Sequence, residues 1–309
     1  MTNSLQVDVV GVGLNAIDTL IFVPQFPSCG SKVEFRSASM QPGGQVATAM
    51  VACARWGLRT RYVGKLGDDL AAKMHAAEFA GAGVERHITT VEGCASAQSF
   101  ILVDPRGERT VLWRRDGRLA LKEEELDREW IVNARALLVD GADTAAATGA
   151  AKWARAAGVP VIADLDEPYP LLDPLLENVD YLIVSRDFPA KLTGENDLRK
   201  SLAILQKRFG SRVSAATLGT EGVLAWDGQQ FCYSPAYSVP VVDSTGAGDI
   251  FHAAFIYGLL QNWPVQRTLD FSCAAAALNC MAAGARGGIQ PLEQIHRLMS
   301  SAKRHPSAY

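Results

Sequence analysis

The chain has 309 residues, 48% of them hydrophobic and 20% charged, which places it with ordinary globular proteins and excludes fibrous and intrinsically disordered classes. Lys and Arg total 30 against 33 Asp and Glu, a formal net charge of −3, so the basic field needed for non-specific nucleic-acid binding is absent. The six cysteines form no Cys-x-x-Cys pair, and the sequence shows neither a signal-peptide pattern nor an apolar run near the ~20 residues of a membrane span. The expected setting is therefore a reducing cytoplasm, without membrane contact.

Residues 6–13 read as a buried strand, and residues 18–23 continue in β-branched and aromatic residues up to Pro24. Gly11, Gly13 and Ala16 match the dinucleotide fingerprint G-x-G-x-x-A, but that fingerprint needs a helix directly after the strand, and none is indicated. A nicotinamide-dependent oxidoreductase is therefore carried only as an alternative. An Ala-rich helix is expected from Gly43 to Trp56, an extended stretch over 60–63 and a second helix over 69–80.

This β/α rhythm breaks twice, over residues 18–42 and 96–115. The second break holds a turn, Asp104-Pro-Arg-Gly107, between two apolar runs, and together the two stretches suggest a small separate β-layer. Strands are then expected near 136–140, 159–164, 180–184 and 211–217 with helices between them, giving a mostly parallel sheet. Two more strands near 222–226 and 230–234 precede helices at about 247–261, 265–282 and 291–299.

The segment carrying most chemistry is Asp243-Ser-Thr-Gly-Ala-Gly-Asp249, which follows an extended Val239-Pro-Val-Val242 and runs into an apolar helix. Gly246 and Gly248 let the backbone turn tightly and aim unpaired N–H groups outward at the positive end of the helix dipole, a nest that binds anions. Asp249 in the first turn beside that nest can take a proton from a hydroxyl, which is what phosphoryl transfer asks of a base. Its plainer role would be to favour the helix N-terminus. A second segment, Gly43-Gly44-Gln45-Val46-Ala47-Thr48, opens the first Ala-rich helix and would let a ligand approach the backbone.

Together these segments resemble the paired signatures of the ribokinase, or phosphofructokinase-B, family of carbohydrate kinases. Val12-Gly-Leu-Asn15 with Asp18, Val63-Gly64, Gly67-Asp68-Asp69, Thr217-Leu-Gly219 and Gly222 add to the likeness, which covers nearly the whole chain. The resemblance implies a single domain over 1–309: a doubly wound α/β three-layer core with a small β-sheet lid made by about 18–42 and 96–115. It also implies ATP with Mg²⁺, a sugar as acceptor, and a homodimer formed through the lid.

By position, the resemblance makes Asp249 the base and the amides of Gly246, Ala247 and Gly248 the anion hole. Asp243 would hold the loop. Thr217, Gly219, Gly222, Ala277, Cys280 and Gly284 would line the nucleotide site, and Asp18, Gly44, Gln45, Thr48 and Asp140 the sugar site, with Arg109 near the phosphates.

Departures from the family pattern are also visible. Gln45 and Thr48 stand where many members carry Asn, and Ser185 and Phe188 replace the polar positions of the N-x-x-E motif, so no protein ligand is assigned to the metal. That departure, the opening strand pair and the spacing of Cys273 and Cys280 are similar to ketohexokinases, which makes a ketose such as fructose the expected acceptor. A nucleoside kinase is the neighbouring alternative. Arg114 and Arg115 could pair with an acidic or phosphorylated sugar, although strand alternation lets at most one reach a pocket. His252, three residues after Asp249, is expected to pack or support.

Overall fold

In the computed structural model, which describes residues 6–309, the chain alternates strands and helices as follows. It opens with β1 (Val7–Val12), β2 (Ala16–Phe22), β3 (Ser37–Gly43), α1 (Gln45–Arg55), β4 (Thr60–Gly67), α2 (Leu70–Ala82), β5 (Glu85–Val91), β6 (Gln98–Val103) and β7 (Arg109–Arg114). It continues through α3 (Arg128–Val132), β8 (Ala134–Asp140), α4 (Thr144–Ala156), β9 (Val161–Leu165), α5 (Asp173–Leu176), β10 (Tyr181–Ser185), α6 (Phe188–Thr193), α7 (Leu198–Phe209) and β11 (Val213–Thr217). The last elements are β12 (Val223–Trp226), β13 (Phe231–Ser234), α8 (Ala247–Leu260), α9 (Val265–Asn279) and α10 (Leu292–Ser301). None of these helices is long and apolar enough to cross a membrane.

Nine strands form one sheet in the order β13-β12-β11-β10-β9-β8-β1-β4-β5, parallel throughout except for β12. Both of its faces are covered, which is why its central strands read as apolar runs rather than alternating ones. Val9, Leu138, Ile162 and Ile183 pack under α1, α8 and α9, while Leu137, Val139, Ala163 and Val184 pack under α4 and α7. The expectation of a doubly wound core therefore holds. One strand was not anticipated: β5, Glu-Arg-His-Ile-Thr-Thr-Val, is a half-exposed edge with no apolar period, and its pairing with β4 makes it a strand.

The other four strands make a second sheet, ordered β3-β2-β6-β7. No helix separates β1 from β2, so the Gly11 and Gly13 fingerprint has no helix N-terminus to serve. Gly11 is small for a different reason, since a Cβ there would meet Val46 and Met50 of α1 within 3 Å. That close helix–sheet contact removes the basis of the oxidoreductase alternative.

Register gives the small sheet two distinct faces. Gln41, Asp18, Ser99 and Trp113 stand opposite one another in one row, beside a row holding Leu20 and Ile101, which are buried. Met40, Thr19, Phe100 and Leu112 form a row on the opposite face, where Met40 is 50% exposed, Phe100 47% and Leu112 61%.

Candidate active site

In an open parallel sheet, ligands bind beyond the carboxyl ends of the strands where the winding direction reverses. Here that point lies between β1 and β8, because the chain leaves β1 toward β4 and β5 and later returns to β8 on the other side. The N-termini of α1 and α8 meet over it, and the small sheet lies across it. Ser244, just before α8, donates its hydroxyl to the carbonyl of Gly107 at the tip of the β6–β7 hairpin, 3.1 Å away.

The loop entering α8 is held from below. Asp243 is fully buried; its Oδ1 accepts the Thr245 amide and hydroxyl, and its Oδ2 accepts the Gly284 amide at 2.8 Å. Asn279 donates to the carbonyls of Thr245 and Ala285, both at 3.1 Å. Gly246 caps the helix at φ 77°, where a Cβ would meet the Ala285 backbone at 2.5 Å, so only glycine fits. The Ala247 amide donates to the Ser244 carbonyl at 3.3 Å. The amides of Gly246 and Gly248 find no acceptor among the described residues, and open space surrounds the Cα of Gly248.

Asp249 follows in the first turn, partly buried, and its carboxylate accepts no hydrogen bond from the described residues. Burial, and after it the charge of Asp164, pushes its carboxyl up to about 8; Arg109 and His252 pull the other way. A carboxylate poised so far above its ordinary range is a better proton acceptor than a solvated one.

Opposite lie β2 and the glycine turn. Asp18 is 5% exposed, with its carboxyl pushed up to about 6 by burial and eased down by Ser99, Arg286 and Arg109. Its carboxylate lies so close to Gly43 that a Cβ there would sit 1.9 Å from Oδ2. Gly44 caps α1 at φ 89° against the Asn15 backbone, and Gln45 begins the helix beside Asp164.

Thr48 is fully buried one turn deeper, and its hydroxyl accepts Arg286 Nε at 3.1 Å. Asp140 has no exposed surface either; it accepts the amides of Leu14 at 2.7 Å and Ala142 at 2.9 Å, and burial pushes its carboxyl up to about 7. Both side chains are buried and bonded to other parts of the chain. The charge of Arg109 lowers the carboxyls of Asp18 and Asp249 and the thiol of Cys280 against the upward push of burial. Arg115 is spent in a bidentate pair with Asp143, at 2.8 and 2.6 Å, and Arg114 lies on the far face of its strand.

On the other side of Asp249, Thr217 ends β11 with its hydroxyl on the Val184 carbonyl, and Gly219 follows with open space around its Cα. Gly222 packs its backbone against Ser234, and Gly284 gives its amide to Asp243, so both serve the turns rather than an open surface. Ala277 is 8% exposed, and Cys280 ends α9, its carbonyl accepting the amides of Val242 and Asp243. Cys273 is a packed core thiol.

No three His, Cys, Asp or Glu side chains among the described residues converge on a metal site, and Phe188 is buried in the core.

The sequence profile described as pfkB family carbohydrate kinase matches residues 6–291. The chain belongs to the pfkB family. Like its relatives, it is an ATP-dependent sugar kinase. It is 30% identical to the ATP-dependent ribose-1-phosphate kinase of Halopiger xanaduensis, over 87% of this chain and 90% of that protein. It is 24% identical to the 5-dehydro-2-deoxygluconokinase of Geobacillus kaustophilus, over 86% and 87%. The Arabidopsis thaliana ribokinase solved with ribose and ATP superposes with a TM-score of 0.80 at 23% identity, over 96% of this chain and 99% of that one.

Three side chains of this pfkB-family site did not stand out in the sequence. Asp164 ends β9 on the face under α1 and α8, next to Asp140 across the ladder; burial, then Asp166 and Asp140, raises its carboxyl well above normal. The signal available was a carboxylate inside the apolar run Val-Ile-Ala-Asp-Leu. Arg286 is 4% exposed and donates to the Gly43 carbonyl at 2.7 Å while pairing with Glu78, so it locks the glycine turn. Trp113, 75% exposed, stands in the row of Asp18.

Proposed function

We propose that this sugar kinase phosphorylates a hydroxyl of a small neutral sugar, with Asp249 as the base and the amides around Gly246–Gly248 as the cradle of the transferring phosphoryl group. The observation that carries the reading is the position of Asp249. It stands in the first turn of α8, next to unpartnered amides and across the cleft from Asp18 and the Gly43–Gly44 turn.

The acceptor lies under the small sheet, which acts as the lid. Asp18 accepts hydrogen bonds from two adjacent hydroxyls, and Gln45 and the Gly44 backbone complete its contacts. Asp249 takes the proton of the hydroxyl that attacks, and the amides at the helix N-terminus meet the charge that develops on the γ-phosphoryl group. ATP lies on the Thr217 and Gly219 side, with Ala277 and Cys280 toward the adenine. The lid keeps water away from the phosphoryl group.

The charge around the acceptor favours neutral sugars. Asp18, Asp164 and Asp249 line it, Arg115 is consumed by Asp143, and Arg114 faces away, which leaves Arg109 as the available guanidinium. A ketose such as fructose is the first candidate. Trp113 supports a nucleoside as the second, because an exposed indole in the row of Asp18, on the far side of Ser99, offers a surface for a base to stack on. The exposed row of Met40, Phe100 and Leu112 on the lid's outer face supports a homodimer formed there, in the cytoplasm.

An ADP-release screen over ketoses, aldoses, sugar acids, sugar phosphates and nucleosides tests the reading. It predicts the highest kcat/KM for a neutral sugar; preference for a sugar acid or phosphate would contradict it.

A further inference from the structure

One turn past Asp249 on α8, His252 is 3% exposed and has oxygen atoms opposite both ring nitrogens. Nδ1 lies 2.8 Å from the Gly248 carbonyl and 3.3 Å from Asp164 Oδ2, and Nε2 lies 3.3 Å from the Ile183 carbonyl. A neutral imidazole carries one N–H, so its other nitrogen would set a lone pair against an oxygen. Only the imidazolium gives each nitrogen a proton to donate. Asp164, 7% exposed, is the carboxyl group beside it, and the Gln45 side chain bonds to the same group.

We infer that His252 and Asp164 are a buried pair sharing one proton, which ties the first turn of α8 to the ends of β9 and β10 and sets the pH range in which Asp249 works as a base. Both are positioning residues, and the inference rests on Asp249 being that base.

Burial draws the shared proton toward the carboxylate, because it disfavours both charged forms; the three oxygens around the ring draw it toward the imidazole. In either location the pair holds one proton and no net charge. Asp249 then faces the carboxylate of Asp164 with a proton beside it. The other charged groups facing Asp249 are Arg109 from β7, Asp18 from β2 and Arg286 from the segment after α9, while Asp166 and Asp140 face Asp164.

Removing one member should therefore move Asp249 in a direction set by which member goes. Without the Asp164 carboxylate, Asp249 loses a like charge and ionises more easily. Without His252, Asp164 has no proton-sharing partner beside Asp249, which then holds its own proton more tightly.

The test is kcat/KM against pH for the wild type, Asp164→Asn, His252→Asn and Asp249→Asn, with nucleotide binding and thermal melts to confirm folding. Asp164→Asn is expected to move the acid limb down by about one pH unit and His252→Asn to move it up by a similar amount. Lower rates with unmoved limbs, or limbs moving in the same direction, would leave the pair a purely structural role and overturn the inference. If Asp164→Asn does not fold, His252→Gln carries the test: a raised limb supports the pair and an unmoved one rejects it. Full activity in Asp249→Asn would instead remove the reading beneath.

Discussion

The hydroxyl of Ser244 reaches the carbonyl of Gly107 at 3.1 Å, which ties the tip of the lid hairpin to the loop that leads into Asp249. Lid position and anion cradle are thereby linked through one hydrogen bond. Ser244→Ala should raise the KM for the acceptor about fivefold, the value of a typical net hydrogen bond, with a smaller change in kcat. Steady-state kinetics at saturating ATP would show it; an unchanged KM would mean that the tie does not matter for closure.

Asp18 should act through its ionised form. Its carboxyl is raised to about 6, so protonation as pH falls through that value removes the acceptor of the sugar hydroxyls, and KM should climb below pH 6. Asp18→Asn is expected to raise KM about 10- to 100-fold, as loss of hydrogen bonds to a charged group does, and to flatten the rise at low pH. A variant that keeps the same pH dependence would remove Asp18 from the acceptor site.

The buried pair of Arg286 and Glu78 holds the Gly43 turn and the Thr48 hydroxyl together. Arg286→Met leaves Glu78 with only the more exposed Arg55, 3.5 Å away, as an ion-pair partner, and the loss should be about 1–3 kcal/mol in urea unfolding. Adding Glu78→Leu should recover part of it, because the carboxylate that has lost Arg286 is then gone. A single variant as stable as the wild type would show the pair to be dispensable.

Leu112→Glu places a charge in the exposed apolar row of the lid. If copies of the chain meet there, the variant should sediment as a monomer where the wild type sediments as a dimer. Equal sedimentation of the two would place any interface elsewhere.

What the sequence revealed follows from how local each signal is. The segment Asp243–Asp249 announces itself because strand, glycine turn and helix start occur within a few residues, and the apolar runs of β8 to β11 do the same for the core. The lid showed as a break in the β/α rhythm. The burial and bonding of Thr48 and Asp140 were not legible, because nothing nearby in sequence reveals that Arg286, 238 residues away, and Leu14, 126 residues away, bond to them. Asp164 is silent for the same reason, and His252 shows only as a packing or supporting residue, since their meeting depends on α8 folding over β9. The edge strand β5 lacks any period, and only its pairing with β4 defines it.

The central claim is that one carboxylate, that of Asp249, activates the acceptor beside the amides of the α8 N-terminus. It is tested most directly by the turnover of Asp249→Asn, measured together with nucleotide affinity. The prediction is a fall in kcat of about 100-fold or more with nucleotide binding kept, because a positioned base supplies a factor of that size. Turnover near that of the wild type would contradict the account.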